Sequence, residues 1–162
     1  MYSSIHVVSF TNVTNSLDLR NRLLSHDLPF CWLDGSMIMD LFQIKVAVAR
    51  ALLHDTQQCL TTNTIHSEIV YNIAACRNMQ TAFTTFGLKN SSTDIVVVMM
   101  DAKREEIENI MDLVHGKVVD LNTLEDTCDK ERIIKHYKIH TPVETNLLDA
   151  IVTRIAVKSV SK

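Results

Sequence analysis

The chain has 162 residues, of which 46% are apolar, and it carries a net charge of −3. This length predicts a single domain, residues 1–162, with one core. The acidic balance argues against a protein whose main role is to coat nucleic acid, although it allows a local basic patch. No stretch approaches the roughly 20 consecutive apolar residues that cross a bilayer. The four cysteines form no Cys-x-x-Cys pair and the start lacks signal-peptide character, so we expect a reduced, intracellular protein.

The first part of the sequence alternates between strand and helix patterns. Ile5 to Phe10 predicts a strand, and a leucine-rich helix begins at Asn15 or Ser16. After the turn at Asp34-Gly35, Met37 to Met39 is predicted as a short strand. The next helix, Leu41 to about His54, is apolar on almost every side, so we expect it to be buried against two neighbours.

The second part begins with a helical unit at Ile65 that is interrupted around Cys76-Arg-Asn78. Asn78 is placed to cap a further helix, Met79 to Phe86, which Gly87 is predicted to end in a left-handed conformation. The remaining predicted elements are an interior strand from Ile95 to Met100, an acidic helix capped by Asp101, a strand from Val118 to Leu121 and a helix from about Cys128 to Lys138.

The C-terminal segment combines a helix start with more apolar surface than one core contact needs. Thr141 is placed as the cap, Pro142 at the first helical position, and Glu144 can reach back to complete a capping box. The apolar side chains that follow sweep about 180° of the helix circumference, whereas a surface helix needs a stripe about 100° wide. Either a crossing element of the same chain or another protein must cover the remainder, and the sequence favours neither.

The familiar motifs of nucleotide-binding enzymes are missing from the sequence. Only three glycines are present, each isolated, so no Gly-rich loop is available to bind phosphate. His136 and His140 are four residues apart, a spacing that suits two metal ligands on one helix face, but no third ligand pattern accompanies them. We predict no cofactor and no catalytic group. The hypothesis that the protein is a small metal-dependent enzyme depends on the histidine spacing alone.

Two groupings of basic and polar residues are candidate RNA contacts. One joins Asn72 with Arg77 and Asn78 at a break between two helices, where backbone amides and a guanidinium suit a phosphate. The other lies within one helix, with acidic residues between its members: Arg132, Lys135, His136 and Lys138. The first grouping is explained more simply by residues that end one helix and start the next, and the second by a solvated helix face. A free-standing RNA-binding module is therefore kept as the alternative hypothesis.

Short blocks spread over nearly the whole chain carry a resemblance to a known family. In order, they are Asp34-Gly-Ser, Phe42-Gln-Ile with Ala47 and Ala51, Ser67-Glu-Ile-Val-Tyr-Asn, Ala82-Phe with Phe86-Gly-Leu, and Leu147-Leu-Asp-Ala-Ile with Arg154-Ile. No single block is a strong motif, but their order and spacing make the combination specific. Together they resemble the kinase-binding subunit of the KEOPS complex, also called EKC, known as the TPRKB family.

This resemblance implies both a fold and a function. The fold is of the α/β kind in the mixed α+β sense, with a small, largely antiparallel β-sheet flanked by several helices. The function implied is that of a noncatalytic adaptor in the cytoplasm and nucleus, which docks on the N-terminal lobe of a small atypical kinase-like ATPase. The complex, which also contains a threonylcarbamoyl transferase subunit, makes threonylcarbamoyl-adenosine in tRNA, and relatives help to capture the tRNA acceptor end.

The resemblance also implies which residues meet the partner. The docking surface of the family is helical and apolar and includes the terminal helix. A specific interface buries about 800 Å² on each partner, more than one helix face provides, so the helix from Leu41 is expected to contribute. The implied partner-binding residues are Leu148, Ile151, Arg154 and Ile155, together with Phe42 and Ile44. Archaeal relatives carry Gly-x-Arg-Gln-Ile where this chain has Ala75-Cys-Arg-Asn-Met79, so Arg77 keeps the arginine of that segment.

Overall fold

The computed structural model describes residues 2–140 and 146–158, which form short strands and helices joined by loops. In chain order, the elements are β1 (Ile5–Thr11), α1 (Ser16–Leu24), β2 (Cys31–Asp34), α2 (Leu41–Thr56), α3 (Ile65–Ile73), α4 (Met79–Phe86), β3 (Ile95–Met100), α5 (Arg104–Leu113), β4 (Lys117–Val119), α6 (Leu124–Thr127), α7 (Lys130–Tyr137) and α8 (Leu147–Ala156). The predicted first strand, first helix and interior strand are confirmed. Among the described residues, no helix has both the length and the apolar character needed to span a bilayer.

The strands form one antiparallel sheet in the order β2-β3-β1-β4. β3 pairs with β1 from Ile95 to Met100 and with β2 on its other side, and all of its residues are buried. An uninterrupted apolar run is what a strand covered on both faces requires. The small, largely antiparallel sheet implied by the resemblance is therefore confirmed.

Helices cover both faces of the sheet. On one face, α2, α3, α4, α7 and α8 enclose a large hydrophobic core with Leu33 and Val96. On the other face, α1 and α5 pack around a second cluster that contains Phe10, Trp32 and Val97. Because successive residues of a strand point to opposite faces, β3 contributes to both cores. This arrangement confirms the mixed α+β class.

A buried hydrogen-bond network fixes how α2 sits on the sheet. The side chain of Gln43 is fully buried. Its Oε1 accepts from the Met39 N–H at 2.9 Å, and its Nε2 lies 3.2 Å from the Met37 carbonyl oxygen and 3.0 Å from the Tyr137 hydroxyl. That hydroxyl donates in turn to the carbonyl of Ile73. The network joins α2, α3 and α7, and turning α2 about its axis would leave buried polar groups without partners.

Two local predictions are wrong because polar side chains bond to neighbours that the sequence pattern does not reveal. Met37 to Met39 forms no strand, because Asp34 caps a 3-10 turn that ends at the first of these residues. Asp101 does not cap the acidic helix α5, whose N-cap is Lys103. Its carboxylate instead accepts from the backbone N–H of Ser4 at 2.8 Å and holds the N-terminal segment.

Gly87 ends α4 as predicted, but not in a left-handed conformation. Its φ is −72°, a value that any residue adopts. The reason for glycine is space, since a Cβ there would lie 2.5 Å from the carbonyl oxygen of Phe83. Gly87 also forms an isolated bridge to Leu33, so the chain leaving α4 runs closely along the edge of β2.

The predicted start of the terminal helix, with Thr141, Pro142 and Glu144, lies outside the described residues. Within them, α8 is capped by Asn146, whose side-chain oxygen accepts from the Leu148 N–H at 3.0 Å. An asparagine at the N-cap satisfies one of the backbone donors that a helix start leaves free.

A fully buried carboxylate ties the loop before α3 to α2. Glu68 is 0% exposed, and it accepts from the backbone N–H groups of Thr61 at 3.0 Å and Thr62 at 2.9 Å. It also accepts from the Thr62 hydroxyl and lies 2.9 Å from Nδ1 of His54. Burial acts to raise the pKa of Glu68, but the hydrogen bonds and the neighbouring His54 outweigh it, so the pKa lies below its ordinary value.

We predict that Glu68→Gln lowers the free energy of unfolding at pH 7 by about 2 kcal/mol, because charge-assisted hydrogen bonds are lost. A carboxyl whose pKa is lowered by folding stabilises the protein above its unfolded pKa of about 4.3, and this contribution is lost as the pH falls through the folded pKa. The difference between the wild type and Glu68→Gln, measured by urea unfolding, should therefore shrink below about pH 4. The exposed Glu105→Gln is the control, with an expected change under about 0.5 kcal/mol. A difference that stays constant with pH would contradict the role of the charge.

Candidate partner-binding surface

The apolar face of α8 belongs to the core of this protein. Ile151 and Ile155 are both 0% exposed and pack in the large cluster beside α2 and α3. Residues four apart lie on the same side of a helix, so both point inward together. The expectation that these two side chains meet a partner is therefore wrong, because the protein already covers them.

Three cations attach α8 and its end to the rest of the fold. Arg50 of α2 donates to the carbonyl of Ala156 at 2.6 Å, Arg154 donates to the carbonyl of Lys138 at 3.1 Å, and Lys158 donates to the carbonyl of Tyr71. Lys158 also lies 3.0 Å above the ring of Tyr71. Burial lowers the pKa of Lys158 to about 8. Arg50 lies at the end of α8, where a cation interacts favourably with the helix dipole, and the other two contacts join this end to Lys138 and to α3.

The outward face of α8 offers only a narrow apolar edge. Its most exposed residues include Asp149 and Thr153, which are polar. Leu148 and Val152 are half-buried at the sides, and Arg154 keeps an exposed side chain. Leu148 and Arg154 thus remain predictions as partner contacts, at the margin of the helix.

An exposed apolar stripe lies on α2. Phe42, Val46, Ala49 and Leu53 follow one another at intervals of four, three and four residues, and Phe42 and Leu53 are 49% and 53% exposed. Side chains at this spacing share one face of a helix. These four residues are called the α2 stripe below. α2 buries its opposite face and packs against both α3 and α8, so the predicted two-neighbour packing is confirmed.

The two α2 residues that the resemblance implied have different positions. Phe42 lies in the α2 stripe, whereas Ile44 is 1% exposed and packs in the core. Successive helical residues are about 100° apart, so two positions along the helix are enough to turn from solvent to core. The assignment of Ile44 to the partner surface is wrong. Sequence reasoning did not single out Val46, Ala49 or Leu53, although it found that this helix is apolar on almost every side.

The predicted RNA contacts at the α3–α4 junction are only partly accessible. Asn72 is 0% exposed, and its amide has no hydrogen-bond partner among residues 2–140 and 146–158. A side chain buried in the core does not reach RNA, so this assignment is wrong. Asn78 caps α4 as predicted, since its Oδ1 accepts from the Thr81 N–H at 3.0 Å. Arg77 is exposed at the same junction.

The structure brings His136 of the second basic grouping to the same junction. Nε2 of His136 in α7 lies 2.7 Å from the carbonyl oxygen of Ala74, and its ring packs edge-on against Phe86. Burial lowers the pKa of His136, so at neutral pH its ring adds no charge. Lys135, the neighbour of His136 in α7, is exposed, as is Arg77, three residues after Ala74. We call Arg77, Lys135, Lys138 and Arg154, all exposed, the basic flank.

The histidine pair that suggested a metal site does not form one here. His136 is half-buried and bonded to a backbone carbonyl, while His140 is exposed. In the part of the chain that the structure describes, no three His, Cys, Asp or Glu side chains lie close enough together to hold a metal ion.

Comparisons with known proteins show what this chain is similar to. The model of the family described as "Kinase binding protein CGI-121" matches residues 10–159. An EKC/KEOPS complex subunit TPRKB from Danio rerio is 34% identical over 94% of this chain and 89% of its own length. EKC/KEOPS complex subunits CGI121 from Kluyveromyces lactis and Schizosaccharomyces pombe are 33% and 30% identical, over 80% and 98% of this chain and 83% and 95% of their own lengths.

We predict that Ile155→Ala lowers the free energy of unfolding by about 3 kcal/mol, because it leaves a cavity in the core. Val157→Ala is the matched control near the same helix end, where the side chain is 41% exposed. It should cost under about 0.5 kcal/mol in the same urea titration. Ile155→Glu should prevent folding, since it buries an unpaired charge. A folded, stable Ile155→Glu variant would show that this side chain reaches solvent.

Proposed function

This chain belongs to the CGI-121 family of kinase binding proteins, and from that membership we propose that it is a noncatalytic adaptor that binds a kinase-like ATPase through the α2 stripe. Its relatives of similar length are subunits of EKC/KEOPS complexes. The observation that carries the proposal is the α2 stripe, in which Phe42 and Leu53 are about half-exposed among the described residues.

The size of the α2 stripe suits a helical docking surface. Phe42 and Leu53 are 11 positions apart, so at 1.5 Å per residue the stripe runs for about 16 Å along the helix. The hot spots of interfaces are typically aromatic and aliphatic anchors within a polar surround. Because α8 packs against α2, the half-buried Leu148 and the exposed Arg154 supply a second element at the margin. This gives the interface the two helices that its expected area requires.

The resemblance supplies the finer part of the proposal. The partner is the N-terminal lobe of a small atypical kinase-like ATPase, which this chain binds and activates within the KEOPS complex. Through that complex, the chain works with the threonylcarbamoyl transferase subunit in making threonylcarbamoyl-adenosine in tRNA. We place it in the cytoplasm and nucleus, where the implied complex acts.

The test is the double variant Phe42→Asp/Leu53→Asp. Two charges in the centre of an apolar interface should reduce affinity for the purified kinase-like partner at least about 100-fold, because each carboxylate must be desolvated on binding. Affinity is measured by isothermal titration calorimetry. Since both residues are half-exposed, the melting temperature should change little.

The matched control is Leu17→Asp/Ile5→Asp, which places the same two charges at exposed positions on α1 and β1. It should bind the partner like the wild type. Equal loss of affinity in both double variants, or wild-type affinity of the α2 variant, would contradict docking through the α2 stripe.

A second activity, contact with tRNA, is favoured by the basic flank. The hydrogen bond between His136 and the Ala74 carbonyl places α7 on the α3–α4 junction, so two groupings that are separate in sequence form one region. Clustered cations bind phosphates without reading the bases. We propose that within the complex this flank helps to hold the acceptor end of tRNA. A free-standing RNA-binding module would need the same flank to bind without any partner.

For this activity we predict that Lys135→Glu/Lys138→Glu weakens binding of the assembled complex to tRNA about tenfold at low salt. The slope of log affinity against log salt should become less steep, since fewer counterions are released. Filter binding across a salt series measures both quantities. Lys103→Glu/Arg104→Glu, an equal charge change at exposed positions on the other sheet face, should have little effect. If the isolated chain binds tRNA as tightly as the complex, the free-standing module gains support over the adaptor.

A further inference from the structure

A separate apolar cleft lies beside the edge strand β2. It has a volume of about 410 Å³ and is lined mainly by Leu28, Phe30, Trp32, Val70, Phe83 and Leu88. We call it the β2 cleft. None of its lining residues belongs to α2, α7 or α8, so it is distinct from the α2 stripe and from the basic flank. Its volume falls in the range of about 300 to 1,000 Å³ that is typical of small-molecule sites.

The fold holds the wall of the β2 cleft in a fixed conformation. His26 and Phe30 have φ values of 60° and 76°, in the left-handed region that side chains with a Cβ rarely adopt. The loop that contains them is tied at its end, where Nε1 of Trp32 donates to the Pro29 carbonyl at 2.8 Å. Such a conformation persists only where the surroundings determine it, so the cleft is formed before a ligand arrives.

Two of the polar groups that line the β2 cleft suit an anion. Arg20 lines it, and its guanidinium donates to the neutral side-chain oxygen of Asn90 at 3.3 Å. Within the described residues, no carboxylate forms an ion pair with Arg20. Thr64, the N-cap of α3, is also in the lining, so the positive end of that helix dipole faces the same space.

Aromatic rings form part of the wall. Phe30 and His66 meet edge to face, with ring centroids 6.1 Å apart and an interplanar angle of 89°. Nε2 of His66 is buried without a hydrogen-bond partner in residues 2–140 and 146–158, and burial lowers the pKa of this ring, which keeps it neutral. Trp32 and Phe83 also belong to the lining, and this set of rings suits an aromatic ligand, because aromatic groups prefer edge-to-face and offset contacts.

We propose that the β2 cleft is a binding site for a small planar aromatic molecule that carries one anionic group. The aromatic part lies against Phe30, Trp32 and Phe83, and the anionic group faces Arg20 and the start of α3. This activity is additional to kinase binding and does not depend on it.

The protein contains one tryptophan, Trp32, and it lines the β2 cleft, which makes a direct test possible. The probe is 8-anilino-1-naphthalenesulfonate, a fused aromatic anion that absorbs where tryptophan emits. Titration into the full chain should quench Trp32 emission with energy transfer to the probe, in a saturable one-to-one manner. N-phenyl-1-naphthylamine, the same ring system without the sulfonate, should bind about tenfold more weakly, since it has no charge to pair with Arg20.

Two variants locate the site. Arg20→Glu should weaken binding of the anionic probe at least about tenfold and change binding of the uncharged probe little. Phe83→Asp should weaken binding of both probes. Arg104→Glu is the control for charge, because that side chain is 92% exposed on α5. Circular dichroism of each variant checks that it is folded. The proposal is overturned if Trp32 shows no energy transfer, if both probes bind equally well, or if Arg20→Glu and Arg104→Glu have the same effect.

Discussion

The hydrogen bonds of Gln43 determine which surfaces this protein presents. Its buried amide bonds to the 37–39 segment and to the Tyr137 hydroxyl, which donates to the end of α3. One consequence is the rotation of α2, which turns Phe42 outward while Ile44 enters the core. The other is the seating of α7 against the α3–α4 junction, which assembles the basic flank. A satisfied buried network is costly to rearrange, so a single set of polar contacts supports both proposed interfaces.

The terminal helix shows why apolar width alone does not identify an interface. Its sequence offers more apolar surface than one core contact needs, and the structure uses most of it internally, through Ile151 and Ile155. The cations that bond to carbonyls around its end add directional polar contacts to this apolar packing. α8 therefore supports α2 from the side. The proposed interface centred on α2 would therefore be ordered before binding, which reduces the entropy lost when a partner docks.

The sequence predicted those parts of the fold that depend on local chemistry. The run from Ile95 to Met100 predicted an interior strand, and Asn78 predicted the start of α4, because an apolar run and a cap act within a few residues. Contacts between distant segments were not predictable in this way. The burial of Asn72 depends on what packs over α3, and the direction of Ile155 depends on the position of α2. Helical spacing shows which residues share a face, but not which face meets the rest of the protein.

The β2 cleft is lined in part by α3, which packs against the helix that carries the α2 stripe, so the two sites are physically connected. A ligand changes the affinity of a second site only when it favours a different conformation of the element that connects them. The first turn of α3 lines the cleft, and Glu68, in the same turn, bonds to His54 of α2 and to the loop before α3. Displacing α3 would leave this buried carboxylate without its donors, at a cost of several kcal/mol. This contact keeps α3 in one position on α2, so a ligand in the cleft has no second conformation of α3 to favour. We therefore expect the two sites to bind their ligands independently.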